Sequence, residues 1–149
     1  MEDFFWRDYV HGDIPCDTIE AATGRYIGQA CYNGNLVDTI YPHSDAAIIE
    51  MRGKMGIRNN VKILCSNKPQ NRYWEKVNFD ESYDGQMKDA VKGGYQENEF
   101  TLFIGKALNQ GEWKIGNVDI TQSLRGLWVW DGEEEPNCLQ EFYLLRYNM

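Results

Sequence analysis

The sequence predicts an all-β protein built from two tandem, diverged repeats that pack with pseudo-two-fold symmetry. Three observations predict it. Short apolar or alternating runs are separated by Gly, Asn and Asp, helical periodicity is weak, and one pattern of residue types recurs later in the chain.

The first half offers strands at Tyr26 to Cys31, Ala46 to Met51 and Val61 to Cys65. The second half offers Thr101 to Ala107, Leu127 to Trp130 and Phe142 to Tyr147. All are short and rich in Ile, Val, Leu and aromatics, which suit a pleated, half-buried surface. Asn33-Gly34-Asn35 and Asn109-Gln110-Gly111 read as hairpin turns, because Asn and Gly tolerate positive φ.

The repeat is carried by Tyr26-Ile27-Gly28-Gln29-Ala30 and Phe103-Ile104-Gly105-Lys106-Ala107, at an offset of 77 (103 − 26). Gly34 and Gly111 keep that offset; Asp17 to Ala21 answers Asp89 to Gly93, and Trp6 answers Trp74. The expected organisation is a first repeat over residues 1–66, a linker over 67–73 and a second repeat over 74–149. Units of this size bury too little surface alone, so they are expected to pack on each other.

Composition narrows the function. A hydrophobic share of 42% suffices for a core, and a net charge of −8 with no run of Lys or Arg argues against nucleic acid and anionic membrane as partners. The opening Met1 to Trp6 lacks a basic, apolar secretory leader, and no stretch of about 18 apolar residues would span a bilayer. Cys16, Cys31, Cys65 and Cys138 form no C-x-x-C pair, so reduced thiols in a cytoplasmic protein are expected, with Cys31 and Cys65 buried in strands. Export by a signal-free route would leave the same sequence.

Catalytic signatures are thin, and no enzymatic activity, metal or cofactor is expected. His11 and His43 are too few for a His-rich metal site, and neither a phosphate-binding loop nor a G-x-S-x-G elbow occurs. Glu133-Glu134-Glu135 lacks the spaced oxygen ligands of a calcium loop and reads as a solvated turn. Trp113, Trp128 and Trp130 invite comparison with a sugar-stacking platform, with core packing as the competing role.

Both halves resemble the DM-nine repeat family, which includes natterin-like proteins and mannose-binding lectins of invertebrates. In the first half the resemblance runs through Gly12 to Pro15, Ile19-Glu20-Ala21, Tyr26 to Ala30 and Gly53-Lys54. In the second it runs through Ala90 to Tyr95, Leu102 to Ala107, Gly116 and Gly132-Glu133-Glu134. What the resemblance implies is a pseudo-symmetric all-β fold, often a homodimer, that holds a mannose-type glycan without catalysis. The family's acidic and lysine contacts are replaced here by Gln96 and Asn117, and in the first repeat by Gly24 and by Thr39 or Ile40. The ligand-binding residues it implies are therefore Gln96, Lys106 and Asn117, with charge-assisted bonds given up at two positions. The alternative is an intracellular adaptor that keeps the fold, has lost the sugar site and binds a protein partner.

Overall fold

The computed structural model describes residues 4–10, 13–31, 34–41, 47–50, 54–68, 72–80, 86–96, 101–109, 111–120, 125–129 and 137–147. Every regular element within them is a strand, and the fourteen strands fall into two sets of seven. The first set is β1 (Phe4–Asp8), β2 (Glu20–Ala22), β3 (Arg25–Cys31), β4 (Gly34–Ile40), β5 (Ala47–Glu50), β6 (Lys54–Ile57) and β7 (Lys62–Ser66). The second is β8 (Arg72–Asn78), β9 (Lys92–Gln96), β10 (Thr101–Asn109), β11 (Glu112–Asp119), β12 (Gly126–Val129), β13 (Asn137–Leu139) and β14 (Glu141–Tyr147). Among the described residues no helix is long and apolar enough to cross a membrane. β8 begins inside the linker expected at 67–73, because Arg72 and Tyr73 already pair with β14.

The strand ladders establish which residues of the two sets are equivalent. Trp6 lies opposite Leu64 and Trp74 opposite Leu145. Gly28 lies opposite Ile63 and Gly105 opposite Leu144. The loops agree: Ile19 N donates to Leu64 O at 3.1 Å and Val91 N to Leu145 O at 3.0 Å, while Ser66 N reaches Asp17 O and Tyr147 N reaches Asp89 O. The chain therefore builds one seven-stranded unit twice, all antiparallel, as the short alternating runs predict.

Equivalent residues meet in the middle. The central apolar cluster holds Ile19 with its counterpart Val91, Ile27 with Ile104, Val37 with Ile115 and Leu64 with Leu145. Each unit has a second cluster of its own on the opposite face of its strands: Ile40, Val61, Ile63 and Cys65 in the first, and Val118, Leu127, Phe142 and Leu144 among others in the second. Alternate residues of one strand thus serve different cores, as Leu144 and Leu145 do.

The copies differ at two turns. Cys31 pairs with Asn35, whereas its counterpart Leu108 pairs with Trp113, so the second hairpin is one residue longer and the offset moves to 78 (113 − 35). Gly34 and Gly111, expected as equivalents, consequently part. Gly34 opens β4 opposite Gln96, and Gly111 turns the chain with φ of +79°, where a Cβ is disfavoured. The β2–β3 connection is as short as Thr23-Gly24, so β2 stays at three residues, while five-residue β9 extends far enough to pair with β4 of the other unit.

None of the four cysteines is bridged. Cys65 is buried as expected, but Cys31 is exposed, because it is the last residue of β3 and not an interior one. Burial pushes the Cys65 thiol up and Cys138 up to about 11. Thiolate is the reactive form, so a raised pKa slows labelling. Cys16 and Cys31 are expected to react promptly with an aromatic disulfide reagent at pH 8, and Cys65 and Cys138 only after denaturation, which absorbance titration measures. Leu64→Ala and Leu145→Ala, one from each unit, are each expected to cost about 2–5 kcal/mol in a single urea transition. Two separate transitions would mean that the units unfold independently.

Candidate functional site

Two long polar side chains cross the seam between the units, and they are equivalents. Gln29 on β3 donates from Nε2 to the carbonyl of Gly93 at 2.6 Å, and Lys106 on β10 donates from Nζ to the carbonyl of Ala21 at 2.5 Å. Ala21 and Gly93 are themselves equivalent, so each unit fastens the same point of the other. Gly93 is required by closeness: a Cβ there would lie 2.4 Å from Val37 Cγ2 and 2.7 Å from Ile104 Cγ1. Asn117 on β11 adds a one-sided clasp. Its Oδ1 accepts from Val37 N at 2.8 Å and its Nδ2 donates to Val37 O at 3.3 Å. Thr39, its shorter counterpart, makes no such bond among the described residues.

Where the units differ most is around Lys106. Its ammonium lies 4.5 Å from the centre of the Trp74 ring and 4.7 Å from that of Trp113. Each such contact contributes about 0.5–1 kcal/mol when exposed and up to about 2 kcal/mol when desolvated. Trp113 in turn meets Tyr143 edge to face, with centroids 6.0 Å apart. Tyr143 lies between Lys106 on β10 and Lys76 on β8 in the ladders, which places all three on one face. Arg72, two residues before Trp74 on the same strand, shares that face. Burial draws the Lys106 ammonium below the usual lysine range, and the positive charge of Arg72 lowers it further.

Among the described residues the first unit has nothing comparable. The ladders put Phe4 where the second has Arg72, Asp8 for Lys76, Gln29 for Lys106, Asn35 for Trp113 and Lys62 for Tyr143. There Lys62 is neutralised by Asp8 at 3.1 Å. Only tryptophan, Trp6 for Trp74, persists. The second unit's face also carries an energetic deficit: Arg72 Nε and Trp74 Nε1 are buried without an acceptor among the described residues. An unsatisfied buried donor of this kind costs about 1–3 kcal/mol.

Of the residues expected to bind ligand, the structure brings Lys106 and Asn117 to the seam-facing side of adjacent strands β10 and β11. Both amide atoms of Asn117 are engaged by the Val37 backbone, so it acts as a clasp between units. Gln96 ends β9, opposite Gly34, five residues before Thr101 enters β10; the position of its side chain lies outside the described residues. Trp74 and Arg72 were missed, Arg72 because a Pro- and Asn-rich stretch reads as linker. The signal that marks them is the alternation Arg72-Tyr73-Trp74-Glu75-Lys76, which is a strand with its basic and aromatic residues on one side.

The tryptophan platform weighed against core packing is only partly assembled. Trp128 makes no ring contact among the described residues and has its Nε1 buried without an acceptor; Trp130 lies outside them. His11, His43 and Glu133-Glu134-Glu135 also lie outside the described residues. Among the described residues no three His, Cys, Asp or Glu side chains converge as they would around a metal ion. A shallow depression of about 490 Å³ opens in the first unit between Cys31, Gly56, Ile57, Arg58, Asn59 and Asn60, with no residue of the Lys106 face in its lining.

Two seven-stranded units sharing one core, with an aromatic and basic face on only one of them, define a pseudo-symmetric β-repeat protein whose copies have diverged in surface chemistry. A model of the DM9 repeat matches residues 6–135, and the chain belongs to that family. A comparison with curated proteins finds no match.

Asn117→Ala is expected to lower stability by about 1–3 kcal/mol, because the Val37 N–H and C=O lose their partner, whereas Thr39→Ser, which keeps the hydroxyl and removes one buried methyl, should cost no more than about 1 kcal/mol. Gly93→Ala is expected to cost about 1–3 kcal/mol by overpacking the seam. Thermal and urea denaturation of the three variants check both statements.

Proposed function

We propose that the protein is a non-catalytic carbohydrate-binding module whose site is the Trp74–Lys106–Trp113–Tyr143 face of the second unit. The observation that carries this reading is the asymmetry between otherwise equivalent units. Aromatic rings cluster around a lysine where the first unit has Asn35, Gln29 and Lys62. Three half-buried aromatic side chains offer apolar surface for the C–H face of a sugar ring, and the lysine offers donors to its hydroxyls. Membership of the DM9 repeat family is consistent with a lectin-like role. The family resemblance implies a mannose-type sugar, which makes mannose the neutral reference ligand.

Asn117 contributes less in this reading than the sequence suggests, since it already closes the seam. Trp113 becomes the anchor. Trp113→Asn installs the residue that the first unit carries at this position, so the fold is expected to tolerate it. Its effect on glycan affinity should be about a tenfold loss, equivalent to about 1.4 kcal/mol, as read by calorimetry on whichever sugar a glycan array identifies. Unchanged affinity in Trp113→Asn would remove this face as the site. Silence of the array, together with a protein that co-purifies specifically, would favour the adaptor reading.

A further inference from the structure

We infer that the glycan this face selects carries an anionic group, a carboxylate or a sulfate, in preference to a neutral mannose-type sugar; this rests on the carbohydrate-binding reading above. The polar atoms that lack partners here are all donors. Among the described residues Arg72 Nε and Trp74 Nε1 have no acceptor, and the Lys106 ammonium, with three N–H bonds, reaches one oxygen, that of Ala21. A neutral sugar hydroxyl brings an O–H donor of its own along with its two acceptor lone pairs, whereas a carboxylate or sulfate brings acceptors alone.

Charge points the same way. Lys106 Nζ lies 4.5 Å from the centre of the Trp74 ring, and Arg72 is two residues from Trp74 on the same side of β8, so the two positive charges oppose each other; the carboxylate that partly offsets Arg72 belongs to exposed Glu20 on the other unit. Lys76, the third cation of the face, is already paired with Glu141 at 2.7 Å, so the charge with least local compensation is that of Lys106 and Arg72. An anion entering between them removes the repulsion and contributes bidentate bonds from the guanidinium fork. The overall charge of −8 does not cancel this at short range, because carboxylates more than about 8 Å away are screened at physiological ionic strength. The first unit, with Phe4 and Gln29 at the equivalent positions, offers no such pair.

The test is calorimetric titration with three oligosaccharides of equal length: oligogalacturonate, a sulfated galactan fragment and a neutral mannan fragment. The charged members are expected to bind at least tenfold more tightly than the neutral one, with the preference shrinking as salt rises from 0.05 to 0.5 M. Binding of the carboxylated member alone, or of the sulfated member alone, supports the inference and identifies the group. Arg72→Met is expected to collapse the preference without lowering the melting temperature, since it removes a buried donor that has no acceptor. Lys92→Met, which deletes the same charge from the opposite face, should leave the preference intact. Equal or tighter binding of the neutral fragment overturns the inference while leaving a carbohydrate site in place. A preference that survives in Arg72→Met also overturns it. If none of the three binds, the carbohydrate reading falls with it.

Discussion

Everything else in this molecule depends on an apolar seam made from paired equivalents. Ile27 faces the environment of Ile104, Val37 that of Ile115, and Leu64 that of Leu145, so neither unit has a complete core until the other is present. A hydrophobic seam alone is non-directional and would tolerate sliding. Direction comes from Gln29 and Lys106, each reaching a backbone carbonyl of the opposite unit, and from Asn117 gripping both polar groups of Val37. A slip of one residue along the seam would leave these groups buried and unpaired, which costs more than the bonds themselves contribute.

That constraint explains where divergence has been permitted. Positions on the seam keep their apolar character in both units, while the rows just outside it have drifted to different chemistry. Lys106 illustrates the boundary: its stem and one N–H serve the seam, and its charged end stands among Trp74 and Trp113. A residue with both duties is hard to replace without loss in one of them. The same double duty makes Lys106 ambiguous as a mutational probe, and Trp113 and Arg72 are cleaner ones because they do not fasten the seam.

The all-β class was legible in the sequence because alternation and turn residues report directly on pleated strands. The repeat was legible because Ile-Gly-x-Ala occurs inside β3 and β10, where packing tolerates little change. The site was only partly legible. Lys106 stood out as a polar remnant, but its neighbours come from β8, β11 and β14, which are far apart in the chain and adjacent only after folding. Asn117 read as a sugar contact because its amide suits either role, and no local pattern reveals that Val37, eighty residues away, occupies it. Cys31 sits in an apolar run, and its exposure follows from strand length, which composition does not encode.

The hairpin that is one residue longer in the second unit shows how such duplicated folds can evolve without collapse. A residue inserted within a strand inverts every side chain beyond it, sending core residues to solvent. Placed at a tip, the same insertion is absorbed by the loop, and the ladder resumes with its inward and outward faces preserved, as the pairing of Gly28 with Asp38 and Gly105 with Gly116 attests. The tip is therefore a mutational safe harbour. Length variation among descendants of this architecture belongs there, and so does any peptide an engineer wishes to display without disturbing the paired interior.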